Sequence, residues 1–241
     1  MEGCGTANTW MGKLMSFEFL VEDQSSKRAL EILLPKIIGG SEKLRIHSYK
    51  GLGHIPKGMH SKSDPNKRIL LDQLPRLLQG YGNTPYEYFV VVICDLDDKD
   101  RQQFLSELNG ILESCNPKPN ACFCLAIEEF EAWYLGDINA VRTVYPKADD
   151  SVLSGYKNDS ICGTWELLAD AVLKGGHNGL SEKGWQAVGE QKSIWAREIS
   201  RHMNVDENIS PSFVDMRTTL RSIVANWKDG RGEVAQRGSD G

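Results

Sequence analysis

The run Tyr88 to Cys94, YFVVVIC, is apolar, aromatic or β-branched at every position and is followed at once by Asp95, Leu96, Asp97 and Asp98. A strand apolar on both faces has to be covered on both, as in a parallel sheet held between helices. The flanking residues agree. FEFLV (17–21) reads as an earlier strand, after which Ser25 or Ser26 can cap a helix with Ala29, Leu30, Leu33, Leu34, Ile37 and Ile38 at helical spacing. Pro35 is expected to kink that helix or end it early. Leu44 to Tyr49 forms a short alternating strand, and Asp64 or Asn66 can cap a second helix carrying Ile69, Leu70, Leu74, Leu77 and Leu78. A third helix from Asp98, with Phe104, Leu105, Leu108, Ile111 and Leu112, precedes a strand over 121–127.

Strand and helix therefore alternate, which predicts an α/β fold with a doubly wound parallel sheet. After Glu128 the pattern turns helical, over 129–135, 138–144, 164–173, 193–202 and 212–224, with Gly-rich loops between. The expected organisation is an α/β core over 15–137, a helical extension over 138–227 packed on it, and disordered stretches at 1–14 and 228–241. At 241 residues, 40% of them hydrophobic, the chain can bury a substantial core. A net charge of −5 excludes a uniformly basic nucleic-acid coat and leaves room for a local basic groove. The 6 cysteines lack paired CxxC spacing and read as reduced, mostly buried thiols rather than zinc ligands. No apolar run approaches the ~18 residues of a membrane span, and no basic-then-apolar leader is present. A cytoplasmic protein without membrane contact is expected.

Chemistry concentrates at strand ends. In a parallel sheet, residues just past the carboxyl ends of neighbouring strands share one crevice. Glu22 ends the first strand and Asp95 and Asp97 follow YFVVVIC, where alternation predicts that the two aspartates face the same side. Converging carboxylates repel unless a cation sits among them, and hard oxygen ligands suit Mg²⁺ or Mn²⁺. Such an ion orients a phosphate, offsets developing negative charge and activates water, the needs of phosphodiester cleavage. The strand over 121–127 delivers Glu128, Glu129 and Glu131 to the same edge, and Glu131 is a candidate additional metal ligand. Each piece alone has a plainer reading as a helix cap or helix N-terminal acid.

The loop 50–67 is rich in Gly, His, Lys and Ser, and Lys50, His54, Lys57 and Lys62 are candidate nucleic-acid contacts; a solvated basic loop accounts for them equally well. Lys192, Arg197 and Arg201 lie at helical spacing, where an ordinary surface face is favoured over a second basic rim. His177 and Asn178 read as a polar turn, Trp185 and Trp195 as core.

At these residues the chain resembles the Toprim superfamily, whose pattern is a Glu ending the first strand and a DxD ending a later one. FLVEDQSSKRALEILLPKI, VVVICDLDD, IEEFEAWYLGD and SPSFVDMR resemble, in that order, the bacterial Toprim-like family catalogued as domain of unknown function 4276, across most of 17–224. Where that family usually has Gly after the strand-one Glu, this chain has Asp23. The resemblance implies a metal-dependent nuclease related to the overcoming-lysogenization-defect proteins, acting in antiphage defence. Glu22, Asp95 and Asp97 would be catalytic and metal-binding, with Glu22 a ligand or general acid/base. The implied partners are nucleic acid, DNA before RNA, and an ATPase subunit, with self-association left open. Two rivals remain. A haloacid-dehalogenase-type phosphohydrolase also uses DxD but leaves Glu22 without a role, and a catalytically eroded Toprim module would bind or regulate an ATPase partner or nucleic acid.

Overall fold

A computed structural model of the chain describes residues 16–40, 42–56, 65–86, 88–160 and 163–229. Four parallel strands, β1 (Ser16–Val21), β2 (Lys43–Ser48), β3 (Tyr88–Asp95) and β4 (Asn120–Ala126), lie in the order β2-β1-β3-β4. Val21 is level with Ser48 on one side and Ile93 on the other, and Asp95 is level with Ala126. Both faces of β1 and β3 are covered, as the apolar runs require. Phe17, Phe19, Phe89, Val91 and Ile93 enter one core, while Leu20, Val90, Val92 and Cys94 enter the other.

The crossover helices are α1 (Gln24–Ile38), α2 (Leu70–Gly82) and α3 (Arg101–Glu113). Asp23, not Ser25 or Ser26, caps α1: its carboxylate accepts from Ser26 N–H and Ser25 Oγ–H, each at 2.7 Å. The helix does not end at Pro35 but continues to Ile38. Pro35 stands on the exposed side of the last turn, where water can satisfy the carbonyl its ring leaves without a donor. α2 starts later than expected and has no side-chain cap. Its first N–H groups are taken by the loop after β2, Leu70 N–H by Gly51 O at 3.1 Å and Leu71 N–H by Leu52 O at 2.8 Å. Asp64, a predicted cap, lies outside the described residues.

The helical part comprises α4 (Glu131–Leu135), α5 (Ile138–Val144), α6 (Asp150–Gly155), α7 (Thr164–Val172), α8 (Gly176–Ser181), α9 (Trp185–His202) and α10 (Pro211–Lys228). α6 and α8 are short helices of 6 residues each in stretches expected to be loop, and α9 begins eight residues before the position expected from periodicity. Trp195 is fully buried as anticipated; Trp185 instead opens α9 at 83% exposure. Two sequence-distant segments join around Trp133, whose indole N–H donates to Ser212 Oγ at 3.0 Å while its carbonyl accepts from Asn208 at 2.7 Å. Gly136 is required there, since a Cβ would stand 2.3 Å from the Asn208 side-chain oxygen. Cys94, Cys115, Cys122 and Cys124 are free thiols. Among the described residues no helix is long and apolar enough to cross a membrane.

Candidate metal centre

The sheet order places β1 beside β3, with β2 and β4 to the outside. α1 leaves over one face and α3 over the other, so the chain opens a crevice between the carboxyl ends of β1 and β3, the usual ligand position in an open parallel sheet. Glu22 follows β1 directly, its carbonyl accepting from Gly51 N–H at 3.1 Å, and Asp95 is the last residue of β3. Strand alternation does not continue to Asp97. That residue takes a left-handed φ of 50° and donates its N–H to Glu128 O at 3.1 Å, so a turn brings it to the crevice rim. Its carboxylate is exposed and pairs with Lys99 at 2.7 Å.

The electrostatics tie the three acids together. Burial, then the Asp97 and Asp23 charges, push Glu22 up to about 7, and Glu22 Oε2 is buried with no hydrogen-bond partner. Burial, then the Glu22 and Asp23 charges, push Asp95 well above the ordinary carboxylate range. Lys192 on α9 opposes both shifts. Glu22 thus feels the charges of both Asp97 and Asp95, but among the described residues the acids whose oxygens lie close enough together to share a cation are a different set, and Glu131, the further predicted ligand, pairs with Lys192.

Beyond β4 the acids divide by role. Glu128 (φ 63°) turns its carboxylate onto the N-terminus of α7, accepting from Gly163 N–H and, at 2.7 Å, Thr164 N–H. Glu129 is pushed up to about 7 by burial and then by Glu131. Glu131 is 3% exposed, and burial likewise raises it. Between these last two lies Lys192, 17% exposed, 2.8 Å from Glu129 and 3.4 Å from Glu131, with its ammonium over the Trp165 ring. Burial opposes its charge, but Glu131 and Glu129 more than compensate and raise its pKa. A surface rim is thus the wrong place for Lys192, whereas Arg197 and Arg201 are exposed and pair with Glu198.

Among the described residues, Glu128, Glu129 and Glu166 have oxygens within 4.8 Å of one another, close enough to share a cation. Glu129 Oε2 and Glu166 Oε2 are buried without hydrogen-bond partners. Glu166 is invisible to sequence reasoning, sitting at an ordinary first-turn position of α7. All these donors are oxygens, several of them unsatisfied and repelled by like charge, which fits a hard divalent cation such as Mg²⁺ or Mn²⁺.

Of the predicted nucleic-acid contacts, Lys50 and His54 are exposed on the loop after β2, His54 N–H donating to Asp72 at 3.1 Å. Lys57 and Lys62 lie outside the described residues. A family model described as domain of unknown function (DUF4276) matches residues 21–221. No curated protein and no solved structure matches the chain.

Proposed function

The chain belongs to the family described as domain of unknown function (DUF4276), and from that premise and its acidic crevice we propose that it is a Toprim-type, divalent-metal-dependent nuclease that hydrolyses DNA. Its place as effector of an antiphage system beside an ATPase subunit follows from the family resemblance. The observation that carries the reading is Glu22, a buried carboxyl with an unpartnered oxygen, at the sheet's switch point against Asp95 and Asp97. Such an arrangement costs folding energy and is expected where function requires it.

Bound among these carboxylates, Mg²⁺ or Mn²⁺ would offset charge on the scissile phosphate and acidify a nearby water. Glu22 and Asp95 would be the deep ligands, and Asp97 would close the set at the rim. Glu129 and Glu166 suit a second ion. With no second ion bound, Glu129, raised to about 7 by burial and then by Glu131, is suited to take the proton of the attacking water. The water oxygen bonds to phosphorus, its proton passes to Glu129, the bond to the leaving ester oxygen breaks, and that oxygen is protonated from solvent. Lys192 keeps a fixed positive charge beside Glu129 and Glu131 throughout.

Plasmid nicking in Mn²⁺, with calorimetric Mn²⁺ titration, tests the reading. The parent is expected to nick and to take up metal, and Asp95→Ala with Asp97→Ala to lose both, nicking by at least about a hundredfold. Cleavage unchanged in the double variant would reject these ligands; a parent that takes up no metal would favour the non-catalytic module.

A further inference from the structure

A second surface, on edge strand β2, runs up to this crevice. Leu44 and Ile46 pack inward, leaving Lys43, Arg45 and His47 exposed on the opposite side of the strand. Beneath them Glu18 is buried, its carboxylate held by His47 Nε2 at 2.6 Å, Arg45 at 3.2 Å and the Tyr81 hydroxyl at 3.3 Å. Glu18 thereby fixes two exposed basic groups and one aromatic ring in a constant arrangement, and Arg45, 67% exposed, keeps further N–H donors toward solvent. The Tyr81 ring meets Tyr88 edge-on at 5.9 Å, and Tyr88 meets Tyr86 at 6.1 Å, with Tyr86 69% exposed.

Toward the carboxyl end of β2 the same alternation continues. Tyr49 feels the positive charges of Arg68 and Arg76, both exposed, and Arg68 is anchored on Ser48 O at 2.7 Å. Lys50 comes next, and then Gly51, whose N–H is bound to the Glu22 carbonyl. The tyrosines of α2 and the start of β3, then Arg45 and His47, then Tyr49 with Arg68, Arg76 and Lys50 thus follow one another over about the 20 Å length of β2 and lead toward the acidic crevice. Charges alone would be an ordinary way to protect a sheet edge from pairing. That role gives no reason for a connected row of tyrosines ending in an exposed ring.

We infer that this surface binds a single-stranded segment of nucleic acid, with phosphates on Arg45, Arg68 and Arg76 and bases stacked on the tyrosines, and leads it to the crevice. Stacking platforms within a basic groove are how proteins hold single strands irrespective of sequence. Only the fate of the strand at the far end rests on the nuclease reading, and the two are tested apart.

Binding is read by fluorescence anisotropy of a labelled dodecathymidylate with the full chain in EDTA, where metal-dependent cleavage cannot occur. Hydrolysis of bis(4-nitrophenyl) phosphate by the parent in Mn²⁺ reads the crevice independently. Tyr86→Ala is expected to weaken oligonucleotide binding at least about fivefold. Arg76→Glu is expected to weaken it about tenfold at low salt and to flatten the logarithmic salt dependence by about 0.7 for each phosphate no longer neutralised. A duplex should bind more weakly than the single strand. Parent-like binding by both variants, or a duplex held as tightly as the single strand, would overturn the surface while leaving the crevice result standing. Binding that follows these expectations in a parent inert toward the phosphodiester would keep the surface and remove the nuclease.

Discussion

Glu22 is a carboxyl that folding pushes toward its protonated form, and this sets a sign. Its pKa rises from 4.5 to about 7 on folding, so the folded chain binds the extra proton, and stability is lost as pH climbs from the lower value through the higher. That rise corresponds to roughly 3 kcal/mol at most, shared with Asp97 and Asp23, and Glu129 shifts in the same direction. The melting temperature of the chain in EDTA should therefore fall between pH 5 and pH 8. Glu22→Gln should raise it at pH 8 and leave pH 5 nearly unchanged, and Mn²⁺ should recover more for the parent at pH 8 than at pH 5. A flat profile across that window would show that neither burial nor the neighbouring acids hold the Glu22 carboxyl toward its protonated form. At this scale the sequence was readable where a charge follows an apolar strand, as at Glu22, Asp95 and Asp97. Lys192 was not, because its helical spacing with Arg197 and Arg201 reads as an ordinary surface face and the burial of this lysine depends on partners some sixty residues earlier, Glu129 and Glu131.

Between elements, the same lysine acts as a joint. α9 meets the α4 segment through Lys192, Glu129 and Glu131, all largely withdrawn from water. Removing one member of a buried ion pair leaves its partner charged and uncompensated, typically a loss of ~3–5 kcal/mol, whereas replacing both groups together can be nearly neutral. Lys192→Met should accordingly lower the urea midpoint strongly, and adding Glu131→Gln should recover much of the loss; two independent, additive losses would mean that the charges are not coupled. Element types followed from periodicity because each strand and long helix buries a definite face. Their ends did not, because they were decided by contacts far along the chain or in neighbouring loops: α2 is started by the Gly51 and Leu52 carbonyls rather than by a side chain, and Pro35 is tolerated because its ring lies on the exposed side of α1. The α4 segment owes its shape to Ser212 and Asn208, which grip Trp133.

Across the whole molecule, the α/β part and the helices after it are joined by one core. Leu33 and Leu34 of α1, Trp133 of α4, Trp195 and Ile199 of α9, and Met216 and Leu220 of α10 belong to a single cluster that also contains Phe17, Phe19 and Val91 of the sheet. Lys36 on α1 donates to the carbonyls of Ser200, Arg201 and Met203, fastening the end of α9 to the α/β part. A division near residue 137, natural from the change in sequence pattern, therefore cuts through shared apolar packing. The fragment 15–137 would expose the α1 side of β1 and β3 to water, a contiguous apolar surface of the kind that drives aggregation. It should fail to give a soluble, cooperatively melting species. In the full chain, tryptophan fluorescence, which among the described residues arises from Trp133 onward, should lose its signal at the same urea concentration as the far-ultraviolet circular dichroism of the whole. Separate transitions, or a stable fragment, would show two cooperative units. Coincidence would mean that Lys192, carried by the later helices, reaches the crevice acids only when the entire core has formed, so that folding and assembly of the candidate site are one event.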